Sequence, residues 1–325
     1  MTRYLFGRLS EILIVLLLMS MAVYGMIGLM PGDPIDLLFT GNPDIRPEDI
    51  ARLRSIYGLD QPLHERYLAW LGQALQGDFG FSRMFSRPTL DVLLPRLGNT
   101  VVLMGLAFVL SIAIALPLGI HAARKPYGAF DNAVNLICFA GISVPTFWLA
   151  LLLIILFAVI LGWLPASGLG GEAHGARGFE ALADRARHMV LPVLTLTVAN
   201  VGHYTRYVRA AMIETMRQDF IRTARAKGVG ETGIVWRHAL RNSLSPILTI
   251  LALSFGGLFS GALITEIMFA WPGMGKTIFD GILANDYNLA LVGLLFATLT
   301  TLVGSLVADL GYVWADPRVR LSERA

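Results

Sequence analysis

The chain alternates long apolar runs with polar stretches. A helix that crosses a bilayer needs about 20 mostly apolar residues, and six segments reach that length. They are Ile12 to Met30, about Thr100 to Ala122, about Asp131 to Leu161, about Met189 to Tyr207, about Pro246 to Ala270 and about Asn288 to Trp314. The third is long and contains Pro145, and the fourth is weaker because it carries Thr195, Thr197, Asn200 and His203. The pattern predicts an all-α polytopic membrane protein with six transmembrane helices. The first run has Arg3 and Arg8 ahead of it, as a signal peptide would. It is too long for one, no small-x-small cleavage site follows, and it reads as an uncleaved anchor.

Composition agrees with this pattern. Of 325 residues, 55% are hydrophobic and only 15% charged, with a mean hydropathy of +0.62. Soluble domains carry roughly 25% charged residues. A net charge of +3 over this length does not suggest a nucleic-acid partner. A single cysteine, Cys138, excludes an intrachain disulfide and a multi-cysteine metal site.

Charge distribution sets the orientation. With the N-terminus inside, segments 1–11, 121–131, 205–243 and 316–325 hold 15 Lys and Arg, and the short outer loops 163–188 and 271–287 hold four. Lys and Arg concentrate in short cytoplasmic loops, so both termini are expected in the cytoplasm. The stretch "AWPGMGKT", Ala270 to Thr277, then falls on the outer face. Its Gly-Lys-Thr ending resembles a phosphate loop. Such a loop needs a strand before it in a soluble α/β domain, and here an apolar helix precedes it. It reads as a Pro-Gly turn, so any ATP must be hydrolysed by a partner.

Two loops carry further pattern. In 31–99, "RPEDIARLRSIYG" and "QPLHERYLAWLGQALQG" each open on Pro and close on Gly, with Ile50, Leu53 and Tyr57, then Leu63, Tyr67, Trp70 and Leu71, at helical spacing. They predict two short amphipathic helices, either a docking surface for an external partner or a lid on the outer helix ends. Loop 205–243 reads as helix, break, helix. The first helix continues the fourth span to about Lys227, Gly228 and Gly230 break it, and the second runs from about Glu231 to Arg241. Ala224, Ala226 and Gly228 predict a surface of small side chains beside Arg222, Thr223 and Lys227, suited to insertion into a partner's groove. A solvated basic loop drawn to anionic lipid is the alternative.

The stretch "RTARAKGVGETGIVWRHALRNSLSP" resembles the coupling motif of bacterial ABC importer membrane subunits. The closest resemblance is to the dipeptide/oligopeptide permease family, which includes nickel and glutathione permeases. "MPGDP", "YGLDQPLHERYLAWL", "GDFGFS", "GISVPTFWLALLL", "LPVLTL", "ITEIMFAWPGMG", "NDY" and "DPRVR" extend it in order over almost the whole chain. Against the general Glu-Ala-Ala-x-x-x-Gly pattern, Arg222 and Thr223 replace Glu and the first Ala, while Ala224 and Gly228 match. The resemblance implies a type I importer fold, divided into an anchor helix 1–30, a helical outer loop 31–95, a permease domain 96–315 with coupling loop 205–243, and a tail 316–325. It implies a second homologous permease, two cytoplasmic ABC ATPases that bind ATP and magnesium, an extracytoplasmic solute-binding protein and no cofactor in this chain. Peptides are the expected cargo, with nickel or glutathione as alternatives.

Several residues within the spans are candidates for the path. Pro145, flanked by Ser143 and Phe147, either shapes a cavity or curves its helix for packing. Thr197, Asn200 and Tyr204 share a face of the fourth span, and either line a water-filled path or bond to neighbouring helices. Ser254, Gly257 and Gly261 on the fifth span, with Gly293, Ala297, Gly304, Ala308 and Gly311 on the sixth, form small-residue faces expected in helix packing. Glu266 and Asp309 lie near span ends and are expected to reach the interface, so no proton relay is expected. His203 beside Arg206 reads as an interface residue. An autonomous secondary transporter would show buried coupling acids or an internal repeat, and a membrane enzyme would show a motif such as H-E-x-x-H. Neither pattern is found.

Overall fold

The computed structural model describes residues 2–29, 61–171, 177–257 and 262–315. Among the described residues, three helices are long and apolar enough to cross a membrane: Tyr4–Gly28 within α1 (Thr2–Gly28), α3 (Thr89–Arg124), and Tyr287–Gly311 within the last helix, Tyr287–Ala315. A fourth apolar segment is bent by 97° between α4 (Ala129–Ser143) and Thr146–Ile160, where α5 (Thr146–Leu153) continues as π-helix. The remaining elements are α2 (Leu63–Leu75), the two-residue strands β1 (Phe81–Ser82) and β2 (Arg87–Pro88), paired antiparallel, α6 (Gly178–Met216) and α7 (Asp219–Ala226). Glu231–Gly233 (α8) leads through a π-helical stretch, Ile234–Ala239, into α9 (Leu240–Gly257), followed by α10 (Leu263–Met268), α11 (Met274–Leu283) and the final helix α12.

The outcome differs from the simple six-run pattern in three places. The third run is two helices at nearly a right angle, because Pro145 forces Val144 into extended backbone (φ −80, ψ 122) and itself opens α5. The fourth is part of a 39-residue helix with a polar beginning. The fifth is described as α9 and α10, with Ala262 ahead of α10 outside helical geometry (φ −112, ψ 64).

The chain forms two compact units, Met1–Leu97 with Thr277–Leu299, and Gly98–Lys276 with Thr300–Ala325. In the first, Tyr67 and Trp70 of α2 pack on Tyr24 of α1, with ring centroids 5.5–6.3 Å apart, and the Tyr67 hydroxyl bonds Ser20. The helix expected from "QPLHERYLAWLGQALQG" is therefore present, opening after Pro62 and ending at Gly77 (φ +89). The helix expected over 47–57 lies outside the described residues. Asp286 closes the strand turn from a distant part of the chain, accepting from the Ser82 hydroxyl at 2.6 Å and the Met84 amide at 2.9 Å.

In the second unit α4 runs antiparallel along α6. Asp131 meets Arg209, a Cβ at Gly202 would meet the Cys138 carbonyl at 2.8 Å, and one at Gly141 would meet the Val198 carbonyl at 3.4 Å. One core gathers Ile120, Val208, Met212, Ile221, Ile234 and Val235. Another holds Leu103, Ala107, Met189, Leu196 and Trp271. Elsewhere Leu13, Val109, Leu136 and Val159 are more than 60% exposed. Apolar area of that extent suits lipid or a partner helix rather than water.

Candidate functional site

Two features of the second unit are built more tightly than packing alone requires. The first is the turn between α6 and α9. Contrary to the sequence expectation, α6 stops at Met216. Gln218 is extended (φ −71, ψ 151) and α7 starts afresh at Asp219. α7 is strongly two-sided: Ile221 and Ala224 are buried in the core, while Arg222, Thr223, Arg225 and Ala226 face outward. Ala224 is thus a core contact and not part of the outer small-residue surface. The expectation grouped it with Ala226 and Gly228 on one continuous helix, which the break at Arg217–Gln218 interrupts.

The helix ends in the left-handed region at Gly228 (φ +78), with the Gly228 amide on the Arg225 carbonyl and the Val229 amide on the Ala224 carbonyl. Arg225 then reaches across the turn and grips Glu231 with two hydrogen bonds, at 2.8 and 3.2 Å. That guanidinium holds the Glu231 carboxyl below its usual range, chiefly through the hydrogen bond, and raises Arg225 in return. Val229 packs inward. What remains outside is a ridge of Arg222, Thr223, Ala226, Lys227, Gly228 and Gly230. A Cβ at Gly228 or Gly230 would meet nothing within 4 Å, so the ridge is open to a partner.

The second feature is the turn "AWPGMGKT". It does cradle a carboxyl group, and that group is the chain's own Glu266. Glu266 is fully buried. One carboxylate oxygen accepts the Thr100 hydroxyl at 2.7 Å, and the other accepts the Lys276 amide at 2.8 Å. The Thr100 oxygen in turn accepts the Met274 amide at 2.8 Å. Two of the otherwise orphaned N–H groups at the start of α11 are thereby satisfied. A Cβ at Gly273 would overlap the carboxylate, and one at Gly275 would stand 3.1 Å from it. Asn99 locks the same turn: its amide donates to the Pro272 carbonyl, its side-chain oxygen accepts Arg185, and its backbone carbonyl accepts the Trp271 indole. The expectation that Glu266 reaches the interface is wrong. The chain doubles back at Ala270 (φ +46) and brings its own donors to the acid.

Comparison with known proteins gives the family. Residues 115–321 match the family described as binding-protein-dependent transport system inner membrane component, and residues 1–104 match its N-terminal companion. The chain belongs to this family.

It is the permease subunit of an ABC importer, of type I fold and multi-pass in the inner membrane. The oligopeptide transport system permease AppB of Bacillus subtilis is 34% identical over 323 residues, covering 98% of this chain and 99% of that one. The di/tripeptide transport system permease DppB of Pseudomonas aeruginosa is 35% identical over 315 residues, 93% and 94% of the two chains. The glutathione transport system permease GsiC of Escherichia coli is 34% identical over 320 residues, 98% and 99%. A solved inward-facing MetNI methionine ABC transporter aligns with a TM-score of 0.49 at 20% identity, over 68% of this chain and 96% of that one. Permeases of this family work in a complex with ATPases and a binding protein.

The permease's other expected positions scatter. Ser143, Pro145 and Phe147 sit at the exposed break between α4 and α5, with the Ser143 hydroxyl turned onto the Phe139 carbonyl. Asn200 bonds the Leu196 carbonyl of its own helix. Tyr204 is buried edge-on against Phe108 and shares a hydrogen bond with Ser254, so a path candidate and a packing candidate meet. Thr197 is 2% exposed, and its hydroxyl has no partner among the described residues. Gly304 is buried and Ala308 half-buried, Gly311 is exposed, and Gly261 lies outside the described residues. Gly257 ends α9. The closest approach on α12 is at Gly293, where a Cβ would meet Ile278 at 2.6 Å.

The sequence reading passed over Asp131. It is 1% exposed and held by Arg209 at 2.5 and 2.6 Å, by Asn135 and by the Tyr127 amide. Asp131, Glu266 and Asp286 share one signal, an acid at the edge of an apolar run.

Proposed function

We propose that the permease carries short peptides across the inner membrane, as one half of a pathway completed by a second, related permease. Both termini and the ridge at 222–230 lie in the cytoplasm, as the Lys and Arg distribution supports. Two cytoplasmic ATPases seat on that ridge and on its counterpart, and they alone bind ATP and magnesium. A solute-binding protein delivers cargo at the opposite face, next to the outer loop 31–95. The observation that carries this reading is the ridge itself. It is exposed, free of bulky side chains at Gly228 and Gly230, and fixed from beneath by Ile221, Ala224 and Val229.

A rigid ridge transmits force without absorbing it. Closure of an ATPase dimer moves two such ridges together, and the helices behind them swing from one access state to the other. The chain performs no bond chemistry. It binds its partners differently in two states. Peptide cargo is supported by the names of the relatives: oligopeptides, di- and tripeptides, and glutathione, itself a tripeptide. The path candidates remain Ser143, Pro145, Phe147, Thr197, Asn200 and Tyr204.

Proteoliposomes holding the assembled complex test this. Uptake of a labelled dipeptide or tripeptide that requires ATP and the binding protein supports it. Uptake that proceeds without ATP, or transport of nickel with no peptide, overturns it.

A further inference from the structure

The polypeptide leaves one apolar helix and enters the next within the turn 125–128, between Arg124 of α3 and Ala129 of α4. A turn that short, between segments apolar enough to enter a bilayer, lies at the depth of the lipid headgroups. A cavity of about 530 Å³ opens beside it. His121, Arg124, Lys125 and Glu231 line it with polar groups, and Phe130 and Val235 supply apolar surface.

The charge in this cavity is unbalanced. Glu231 is already engaged by Arg225, through two hydrogen bonds. Arg124 and Lys125 are exposed and make no ion pair among the described residues. Arg124 lies near enough to act on Glu231 as well, so Arg124, Lys125 and Arg225 together outnumber that one carboxylate. One exposed ring, Phe130, lines the cavity, and another, Tyr127, lies in the turn beside it. Tyr127 is 78% exposed and Phe130 52% exposed, in residues where water would be poor company for a ring. His121 stacks edge-on with Trp236, itself 47% exposed, at 6.4 Å. Basic side chains flanked by exposed aromatic rings at headgroup depth match an anionic lipid: phosphate to the cations, glycerol and first methylenes to the apolar wall. The turn itself is held in place by Asp131, whose carboxylate accepts the Tyr127 amide and ties it to Arg209 of α6.

We propose that this cavity binds the phosphate headgroup of an anionic phospholipid. The bound lipid touches the α3–α4 turn and the first residue after Gly230 together, beside the ridge that the ATPases are proposed to hold. The proposal does not depend on the identity of the cargo.

The test uses the full chain purified in mild detergent, alone and with its co-purifying partners, and native mass spectrometry with phosphatidylglycerol or phosphatidylcholine. Basic residues near a membrane surface contribute about fivefold each to anionic lipid binding, so Arg124→Gln with Lys125→Gln is expected to retain phosphatidylglycerol about thirty-fold more weakly. Arg124→Lys keeps binding. A charge-matched control, Arg217→Gln with Arg241→Gln, leaves retention near wild type. Size-exclusion profiles in detergent confirm that the variants remain folded. Equal loss in the control, or equal retention of phosphatidylcholine by the wild type, overturns the site in favour of bulk attraction. Displacement of the lipid by millimolar inorganic phosphate assigns the cavity to a free anion and overturns it too. Loss of the lipid when the ATPases bind makes the cavity a protein contact and overturns it as well.

Discussion

The Thr100 hydroxyl lies 2.7 Å from the Glu266 carboxylate, 166 positions away in sequence, and accepts the Met274 amide with its other face. One hydroxyl thereby joins α3 to a buried acid and to the start of α11. Thr100→Val keeps the shape and removes both bonds. It strands a buried carboxyl acceptor and a backbone donor, each worth roughly 1–3 kcal/mol when buried and unsatisfied. Thermal melting in detergent is expected to fall clearly for Thr100→Val and little for Thr100→Ser. Gly273→Ala, whose methyl would overlap the carboxylate, is expected to match or exceed the valine variant.

Gly228 separates backbone strain from bulk. No atom of this chain stands near its missing side chain, so within the permease a substitution is felt through φ +78, and its bulk is felt only against the seated ATPase. A side chain in that region costs roughly 1–2 kcal/mol, and Asn is tolerated best. ATPase activity of the assembled complex is expected to rank Gly above Asn, Asn above Ala, and Ala above Val. Equal activity for Asn and Val would show that the left-handed turn is unimportant.

Asp131 and Arg209 form the most buried ion pair among the described residues, with the carboxylate 1% exposed. Removing one partner of a buried pair costs about 3–5 kcal/mol. Asp131→Ala and Arg209→Ala are each expected to melt well below wild type. The double variant is expected to melt no lower than the worse single one. A double-mutant cycle checks this, and strict additivity would mean the pair is not coupled.

The Arg225–Glu231 clasp gives a pH dependence of known sign. The Glu231 carboxyl is depressed in the folded chain by its hydrogen bond to Arg225. A depressed acid contributes above its unfolded value, near 4.3, and loses that contribution as pH falls through the lower folded value. Amide hydrogen exchange at 228–231 is therefore expected to be flat from neutral pH down to about 4.3, after correction for intrinsic rates, and to accelerate below it. The pair is exposed, so the effect is modest and weakens with salt. Glu231→Gln is expected to remove the pH step.

The helices of this chain were largely legible in its apolar runs, because a bilayer imposes a length that composition reveals. α12 lies within a residue of its expected start, and the second outer helix opens and closes where Pro62 and Gly77 indicate. The Gly228 break was legible because glycine is the residue that adopts φ +78 without cost. The burial of Ala224 was not, since it depends on the break at Arg217–Gln218. The roles of Asp131, Glu266 and Asp286 were not either. Each acid is satisfied by donors that lie far off in sequence, at Arg209, Thr100 and Ser82, and a count along one run cannot see them. Thr197 was recognised as polar, but its solitary hydroxyl emerges only from packing.

α6 has a mechanical meaning beyond its hydrogen bonds. Its 39 residues make a rod about 58 Å long at about 1.5 Å per residue. One tip leads into the ridge around Gly228, and Arg185 near the other tip is bonded to Asn99 beside the Glu266 turn. Such a rod acts as a lever arm. A tilt of about 5° pivoted at one tip carries the other about 5 Å, close to the rise of one helical turn. Pro192, about a third of the way along the rod from Gly178, removes one rung of the backbone ladder and marks where the lever can flex.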